Sequence, residues 1–293
     1  MKRYLLAVSG GVDSVVMLDE MSRIHDRNEL VVVHFDHGMQ IDSWHAAKFT
    51  ERLAQKYGTE FIAGSEQLGD VSENTARQAR WGFLRSVQKQ QGGAICTAHH
   101  LDDVLETMLL NLQRGTGWRG LASLRETETV KRPLLELTKS QIRNIALKRR
   151  LEWIEDESNQ SDKYARNRLR YGLLSRTSPS QKEQLQKINR QLVELRPHIE
   201  DQLRFLAEGI STDDKNGVRL NRTDFVQLPE VVQSELLMFL IKSISRSHKN
   251  LTKKHLAEAV DFVVLKPTGK EMQLPSGVRI HNRNKSEALI IQT

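Results

Sequence analysis

The first half of the chain alternates short apolar runs with amphipathic stretches, and this rhythm constrains the fold more than any other feature. The short runs are typical of buried parallel strands, and the stretches between them carry apolar residues at helical spacing. The predicted strands cover 4–8, 30–35, 60–63 and 94–98, and the predicted helices cover 13–25, 43–57, 74–90 and 102–114. Such alternation indicates an α/β fold with a doubly wound, mainly parallel sheet.

The pattern changes after residue 178, where we predict a domain boundary in the segment Thr177 to Ser180. Two capping boxes predict helices near 139–149 and from about 181 onward: Thr138 with Gln141, and Ser180 with Glu183. Apolar residues at helical spacing continue to about residue 260, and a polar turn at 282–285 predicts a small hairpin. We predict a catalytic domain at 1–178 and a mostly helical domain at 179–293.

Charge and cysteine content narrow the function. Lys and Arg number 44 against 37 Asp and Glu, and a net charge of +7 favours a polyanionic partner, with a merely solvated basic surface as the alternative. The one cysteine, Cys96, excludes a disulfide framework or a paired-cysteine metal site within the chain. No stretch approaches the length of a membrane span and no secretory signal is evident, so we expect a cytoplasmic protein.

A glycine loop, Ser9-Gly10-Gly11-Val12-Asp13-Ser14, lies between the first predicted strand and helix. Glycines there allow a tight turn, and the loop amides and hydroxyls can hold a phosphate at the helix N-terminus. The loop lacks the Gly-Lys-Ser/Thr ending of a Walker A motif. The alternative is a plain turn in which a serine caps the helix.

Polar clusters at 9–14, 34–38 and 99–106 follow three of the predicted strands. Because the carboxyl ends of parallel strands meet at one edge of a sheet, these clusters should face one crevice. Asp102, Asp103 and Glu106 lie three and four residues apart, so a helix can present them to one small cation. The alternative is that these three acids only stabilise the helix, by interacting with the positive N-terminal end of its dipole. For Asp36, at the end of the second predicted strand, the alternative to a functional contact is a turn-forming role.

Motifs in a fixed order carry a resemblance to the tRNA(Ile)-lysidine synthetase family of PP-loop enzymes over residues 1 to about 175. They are SGGVDS at 9–14, HFDHG at 34–38, ARQARW at 76–81, TAHHLDDVLET at 97–107, QRGTGWRGL at 113–121, RPLL at 132–135, EDESN at 155–159 and YARNRLR at 164–170. The resemblance implies an adenine nucleotide α hydrolase-like fold. It also implies that ATP adenylates the wobble cytidine of tRNA(Ile) with a CAU anticodon, after which the ε-amine of L-lysine attacks C2 and expels AMP.

The resemblance, together with the local chemistry, assigns roles to particular residues. The expected ATP contacts are Ser9, Gly10, Gly11, Val12, Asp13, Ser14, His34, Arg77 and Arg80, with Asp13 and Asp36 as Mg²⁺ ligands. The expected catalytic residues are Asp13, Asp36, His100, Asp103, Glu106 and Arg114, and the expected lysine contacts are Asp102, Asp103 and Glu106. Arg166, Asn167, Arg168 and Arg170 are expected to contact RNA. For Arg77 and Arg80 the alternative is a solvated helix face, and for the 166–170 segment it is pairing with the acids at 155–157.

The chain departs from the family in two ways. Met39-Gln40 stands where the family usually has Leu-Arg, and we expect the far C-terminal tRNA-binding domain of longer members to be absent. Two other functions stay open: another PP-loop adenylating ligase acting on tRNA or a small molecule, and a catalytically idle RNA-binding protein. The predicted ligands and partners are ATP, Mg²⁺, L-lysine and tRNA, with no membrane and with a homodimer to be tested.

Overall fold

A computed structural model of the protein describes residues 2–36, 38, 43–67, 71–155, 177–215, 217–245, 251–275 and 277–292. The chain divides into two compact units, Met1–Arg190 and Gln191–Thr293. Each unit has a hydrophobic core of its own. Within the described ranges, no helix is both long and apolar enough to cross a membrane.

The first unit is built on a five-stranded parallel sheet with the strand order β3-β2-β1-β4-β5. Its strands are β1 (Tyr4–Ala7), β2 (Leu30–Asp36), β3 (Glu60–Ser65), β4 (Ala94–Cys96) and β5 (Val130–Lys131). Its helices are α1 (Val12–Ile24), α2 (Ser43–Tyr57), α3 (Glu73–Gln91), α4 (Leu101–Gln113), α5 (Trp118–Leu121) and α6 (Lys139–Lys148), with a 3-10 turn at Arg27–Glu29. The predicted α/β fold is confirmed.

Both faces of this sheet are covered by helices. Alternate residues of β1 point to opposite faces: Leu6 joins a core formed with α1, α2 and α6, whereas Leu5 joins a core formed with α3. Both side chains are fully buried. The apolar composition of β1 therefore follows from its place at the centre of a doubly wound sheet.

The strand order reverses direction at β1. From β1 the chain moves to β2 and β3 on one side, whereas β4 and β5 lie on the other. In open α/β sheets, a crevice forms where two neighbouring strands send their connections in opposite directions. This crevice lies at the carboxyl ends of β1 and β4, which are followed by the glycine loop and by the segment Thr97 to His100.

The second unit combines helices with a five-stranded antiparallel sheet of order β6-β7-β10-β9-β8. Its elements are β6 (Ser211–Asp214), β7 (Gly217–Asn221), α8 (Arg222–Val226), α9 (Glu230–Ile244), α10 (Lys253–Leu265), β8 (Glu271–Gln273), β9 (Val278–Asn282) and β10 (Glu287–Gln292). The predicted helices and terminal hairpin are confirmed. The sequence did not predict β6 and β7, since only Val218 and Leu220 of β7 turn inward and the alternation is too short to stand out.

Helix α7 (Pro179–Ile210) contains the division between the two units. Its first three turns belong to the first unit: Asn189 donates to the Leu121 carbonyl at 2.7 Å, and Gln186 donates to Glu136 at 2.9 Å. The division therefore lies inside the helix, C-terminal to the boundary near residue 178 that the sequence predicts.

The capping box at the start of α7 differs from the prediction. Ser178 donates its amide to Gln181 Oε1 at 2.9 Å, and Ser178 Oγ accepts from the Gln181 amide at 3.2 Å. The box predicted at Ser180 and Glu183 is therefore wrong. Pro179 explains the shift, because proline suits the first helical position and lets the helix begin two residues earlier. The box at Thr138 and Gln141 is confirmed.

Candidate active site

The glycine loop takes its shape from close packing behind it. Gly10 has a φ of +92°, a conformation that side chains rarely adopt. A Cβ atom there would lie 3.2 Å from Ile154 Cδ1 and 3.4 Å from Phe49 Cδ1. The Gly10 carbonyl also accepts a hydrogen bond from the Ile154 amide at 2.9 Å. Glycine is required at this position for conformation and for space.

The two serines stabilise the loop from within. Ser14 Oγ donates to the Gly11 carbonyl at 2.8 Å and accepts from the Ser9 amide at 3.2 Å, and the Ser9 hydroxyl lies 3.4 Å from it. Helix α1 begins after Gly11, which offers no side-chain cap. The amides of the first turn consequently have no acceptor within the helix, and an anion could accept their hydrogen bonds at the positive end of the helix dipole. The alternative, a serine that caps α1, is not the arrangement in the structure.

His34 contacts the backbone just before the glycine loop. It is only 3% exposed, and its Nδ1 lies 2.9 Å from the Val8 carbonyl. Burial lowers the pKa of His34, although the hydrogen bond to Val8 and the charge of Asp36 oppose this shift. Because Val8 offers an acceptor, the neutral ring must donate from Nδ1. His34 therefore positions the segment between β1 and the loop.

Lys139 joins the glycine loop to the far side of the crevice. Its Nζ donates to both carboxylate oxygens of Asp13, at 2.7 and 2.6 Å. Its backbone amide donates to Asp102 Oδ2 at 2.7 Å. The glycine loop itself contains no lysine, but Lys139, in the first turn of α6, contacts it. Sequence reasoning missed Lys139, although the capping box beside it marks the helix start that positions it.

The end of β4 and the start of α4 bring His99, His100 and Asp103 together. Thr97 Oγ1 lies 2.9 Å from His99 Nδ1, and the His100 amide donates to Asp103 Oδ2 at 2.9 Å. The His100 ring is buried, with Nδ1 at 3.5 Å from Asp103 Oδ2 and 3.8 Å from Asp102 Oδ2. A proton on this ring would thus lie beside two carboxylates.

The three acids of α4 lie in different environments. Glu106 is 4% exposed, one turn into the helix. Asp103 caps the backbone of His100, which agrees with the alternative of an acid at a helix N-terminus. Asp102 already accepts from the Lys139 amide and lies 3.5 Å from Lys182 Nζ. Asp102 therefore contacts both Lys139 of α6 and Lys182 of α7.

The predicted arginines lie at three different places. Arg77 lies in the first turns of α3, where its charge adds to burial in lowering the pKa of Arg132. Arg80 lies one turn further along α3. Arg114 caps the C-terminus of α4, about 12 to 18 Å along the helix from the three acids. The structure does not bring Arg114 together with those acids.

The remaining predictions concern the residues expected to contact RNA and those expected to bind Mg²⁺. Arg166, Asn167, Arg168 and Arg170 lie outside the described residues, as does Gln40. Asp36 Oδ1 accepts from the Gly38 amide at 2.8 Å, which is the turn-forming alternative. In the ranges that the structure describes, no three His, Cys, Asp or Glu residues form a metal cluster. Mg²⁺ is usually held by one or two carboxylates plus substrate phosphates, and Asp13 beside the anion site fits that requirement.

Cys96, the only cysteine in the sequence, is fully buried in β4. Burial raises the pKa of its thiol to about 12, with a smaller effect from the charge of Glu126. The thiol is therefore neutral near pH 7, and thiolate chemistry is not available to the crevice from this residue.

The parallel sheet and its anion-binding loop at the reversal of strand order define a PP-loop nucleotide-binding domain. Residues 1–177 match the family model described as a PP-loop domain, and the chain belongs to that family. Its fold is similar to that of the U34-tRNA thiolase NcsA from Methanococcus maripaludis. That likeness has a TM-score of 0.54 at 21% identity, and it covers 66% of this chain and 72% of that one.

Two curated relatives are both called tRNA(Ile)-lysidine synthase. The protein from Haemophilus ducreyi is 36% identical over 211 residues, which cover 70% of this chain and 48% of the relative. The protein from Actinobacillus pleuropneumoniae is 32% identical over 249 residues, which cover 80% and 58%. The chain spans about half the length of the curated relatives it matches.

Proposed function

We propose that the chain is an ATP-dependent carbon–nitrogen ligase that converts the wobble cytidine of tRNA(Ile) with a CAU anticodon into lysidine. One observation carries the proposal. Lys139 contacts both Asp13 at the anion loop and Asp102 at the acid cluster, so both halves of a two-step reaction share one crevice. The names of the relatives support the choice of tRNA and lysine as substrates.

In the first step, O2 of the cytidine attacks the α-phosphorus of ATP, and the bond to the pyrophosphate oxygen breaks. The loop amides and the Ser9 hydroxyl receive the negative charge of the pyrophosphate. Lys139 moves from Asp13 to phosphate, because the polyanionic pyrophosphate leaving group competes with one carboxylate for its ammonium. Asp13 would then be able to hold Mg²⁺, and Mg²⁺ bound there would neutralise charge on the leaving group.

In the second step, the lysine ε-amine attacks C2, and the C2–O2 bond breaks to release AMP. The amine must first lose a proton. His100 accepts it, with Asp103 and Asp102 stabilising the imidazolium. Glu106 and Asp103 hold the ammonium of the incoming lysine, and burial of Glu106 strengthens that contact.

Nucleoside mass spectrometry tests the proposal. Unmodified tRNA(Ile) with a CAU anticodon is incubated with the protein, Mg-ATP and isotopically labelled lysine, and we expect label in a cytidine-derived nucleoside. If AMP forms but no nucleoside carries the label, the protein cleaves ATP as proposed and lysine is not the acceptor. No reaction would favour an idle RNA-binding protein.

The control omits RNA. Pyrophosphate exchange into ATP with small-molecule acceptors alone would favour a different PP-loop ligase. Thiolation is disfavoured by the sequence, because a lone buried cysteine cannot supply the ligands of an iron–sulfur cluster. Within the proposal, residues 179–293 support tRNA binding, Arg166 to Arg170 contact RNA, and the location is cytoplasmic. A homodimer also stays a proposal.

A further inference from the structure

Helix α2 carries an exposed aromatic and basic surface. Trp44 is 48% exposed, and its ring stacks on that of His45 with the centroids 3.7 Å apart. Lys48 Nζ lies 4.5 Å from the centroid of the Trp44 ring. With Glu51 and Arg52, these side chains line a shallow depression. We refer to these five residues as the Trp44 face.

Among the described residues, the Trp44 face does not belong to any of the hydrophobic cores. The opposite side of α2 supplies the core contacts, through Phe49, Leu53, Ala54 and Tyr57. The residues of the Trp44 face recur at helical spacing on the solvent side. An exposed tryptophan ring with a cation beside it offers a flat face on which the ring of a partner can stack.

The Trp44 face lies beside the candidate active site. Strand β2 ends at the carboxyl edge of the sheet, and α2 begins at that same edge before running back along it. Phe49 and Thr50 of α2 lie directly behind Gly10, at 3.4 and 3.7 Å from the position of a Cβ atom there. Trp44 precedes them by five or six residues, about 8 Å along the helix axis.

The chemistry of the Trp44 face matches unpaired RNA. Nucleobases stack on exposed aromatic rings, and cations beside the ring hold the phosphates that flank a stacked base. Within the described parts of the chain, neither Lys48 nor Arg52 forms an ion pair. These two cations face one carboxylate, Glu51, so the surface is net positive, as is the whole chain.

We propose that the Trp44 face stacks an unpaired base of the RNA substrate, close in sequence to the nucleotide in the crevice. The proposal rests on the proposed function, which supplies a single-stranded loop as the substrate. A different role would be a cation–π pair that only covers the ring of Trp44. In that case, truncation of Trp44 would leave RNA affinity unchanged.

RNA affinity measured by fluorescence anisotropy tests the stacking role. The probe is a labelled, unmodified stem-loop with a CAU anticodon loop. We expect Trp44→Ala to weaken binding roughly tenfold or more, and Trp44→Phe to keep most of the affinity because its ring still stacks. The matched control is Ile24→Ala, which removes another exposed apolar side chain (67% exposed) at the opposite edge of the sheet.

Salt dependence tests the two cations. Lys48→Gln and Arg52→Gln should each weaken binding and reduce the slope of log Kd against log salt by about 0.7. Lys56→Gln is the control, because it makes the same charge change on the same helix at the far edge of the sheet. The thermal midpoint of every variant shows whether it is folded.

The outcomes separate this proposal from the proposed function. If the wild-type protein makes lysidine but Trp44→Ala binds the stem-loop normally, the stacking role is wrong and the function stands. If it makes no lysidine but Trp44→Ala weakens RNA binding, the function is wrong and the RNA surface stands. Equal weakening on a fully paired duplex, or no RNA binding by the wild-type protein, overturns the Trp44 face as a stacking site.

Discussion

At the scale of single residues, Lys139 connects the glycine loop to the acids of α4 through Asp13 and Asp102. The glycine loop is visible in six consecutive letters because its turn and its helix start are local. Lys139 lies 126 positions from Asp13, so no spacing rule connects the two residues. Sequence reasoning also assigns a lysine contact to all three of Asp102, Asp103 and Glu106, whereas their neighbours in the fold differ.

Lys139→Gln should reduce the rate of ATP–pyrophosphate exchange about a hundredfold, because the variant loses the cation that stabilises the leaving group in the proposed first step. RNA affinity should stay near that of the wild-type protein. Lys148→Gln is the matched control, since this lysine is exposed at the other end of α6. An exchange rate close to wild type would reject the assigned contact with pyrophosphate.

Glu106→Gln should raise the KM for lysine more than the KM for ATP, because it removes a buried negative charge from the lysine site but not from the loop. Steady-state kinetics with each substrate varied in turn measures both constants. The same experiment on Asp102→Asn tests the difference between the two acids. We expect a smaller effect on the lysine KM there, since Asp102 is already paired with Lys182 and the Lys139 amide.

At the scale of elements, the sequence places the helices and strands of the first unit to within about two residues in most cases. Hydrophobic periodicity is strong where an element packs on a sheet, and capping residues mark its ends. The prediction fails where these signals are weak, as in β5, which has only two residues, and in β6 and β7. The contacts that fasten one helix to another are not visible in the sequence either.

One such contact is centred on Asp19 of α1, which is 4% exposed. It accepts from Arg23 at 2.9 Å, from Tyr57 of α2 at 2.9 Å and from Arg149 after α6 at 2.5 Å. Burial raises the pKa of Asp19, but these three hydrogen bonds outweigh burial and leave the pKa below its ordinary value. The carboxylate therefore contributes to stability when it is ionised.

We expect Asp19→Asn to lower the free energy of unfolding by about 1–3 kcal/mol at pH 7, because it replaces a buried carboxylate that accepts three hydrogen bonds with a neutral amide. For a depressed pKa, the contribution is complete above the unfolded value of about 3.9 and is lost as pH falls through the folded pKa. Denaturant melts from pH 7 to pH 3 should therefore show the variant and wild type converging in acid. Asp26→Asn, at an exposed aspartate, is the control; a gap that persists in acid would contradict the assignment.

At the scale of the whole molecule, the two units have separate cores but share one helix. The core of the second unit is formed by residues from 199 onward, whereas the cores of the first unit draw on residues up to 185. The sequence places a boundary near residue 178 because its composition there looks like a linker. The side chains that attach the start of α7 to the first unit, such as Asn189, are polar and give no such signal.

Because the two units have separate cores, a cavity made in one core should destabilise that unit and leave the other unit folded. Phe225 is fully buried in the second unit, so Phe225→Ala should destabilise that unit by about 3–5 kcal/mol. Hydrogen exchange should then accelerate at the amides of β7 and β10 while protection in β1 and β2 persists. Leu6→Ala is the reciprocal control in the first unit. Equal loss of protection in both sheets would show that the two units unfold as one.

The burial of Cys96 has a practical consequence. Its thiol reacts poorly with alkylating reagents near neutral pH, since little of it is ionised. A cysteine introduced at any exposed position would then be the only reactive thiol on the folded protein. Spectroscopic probes can therefore be attached one site at a time without first altering the native sequence, and distances within a complex with its substrate can be followed in solution.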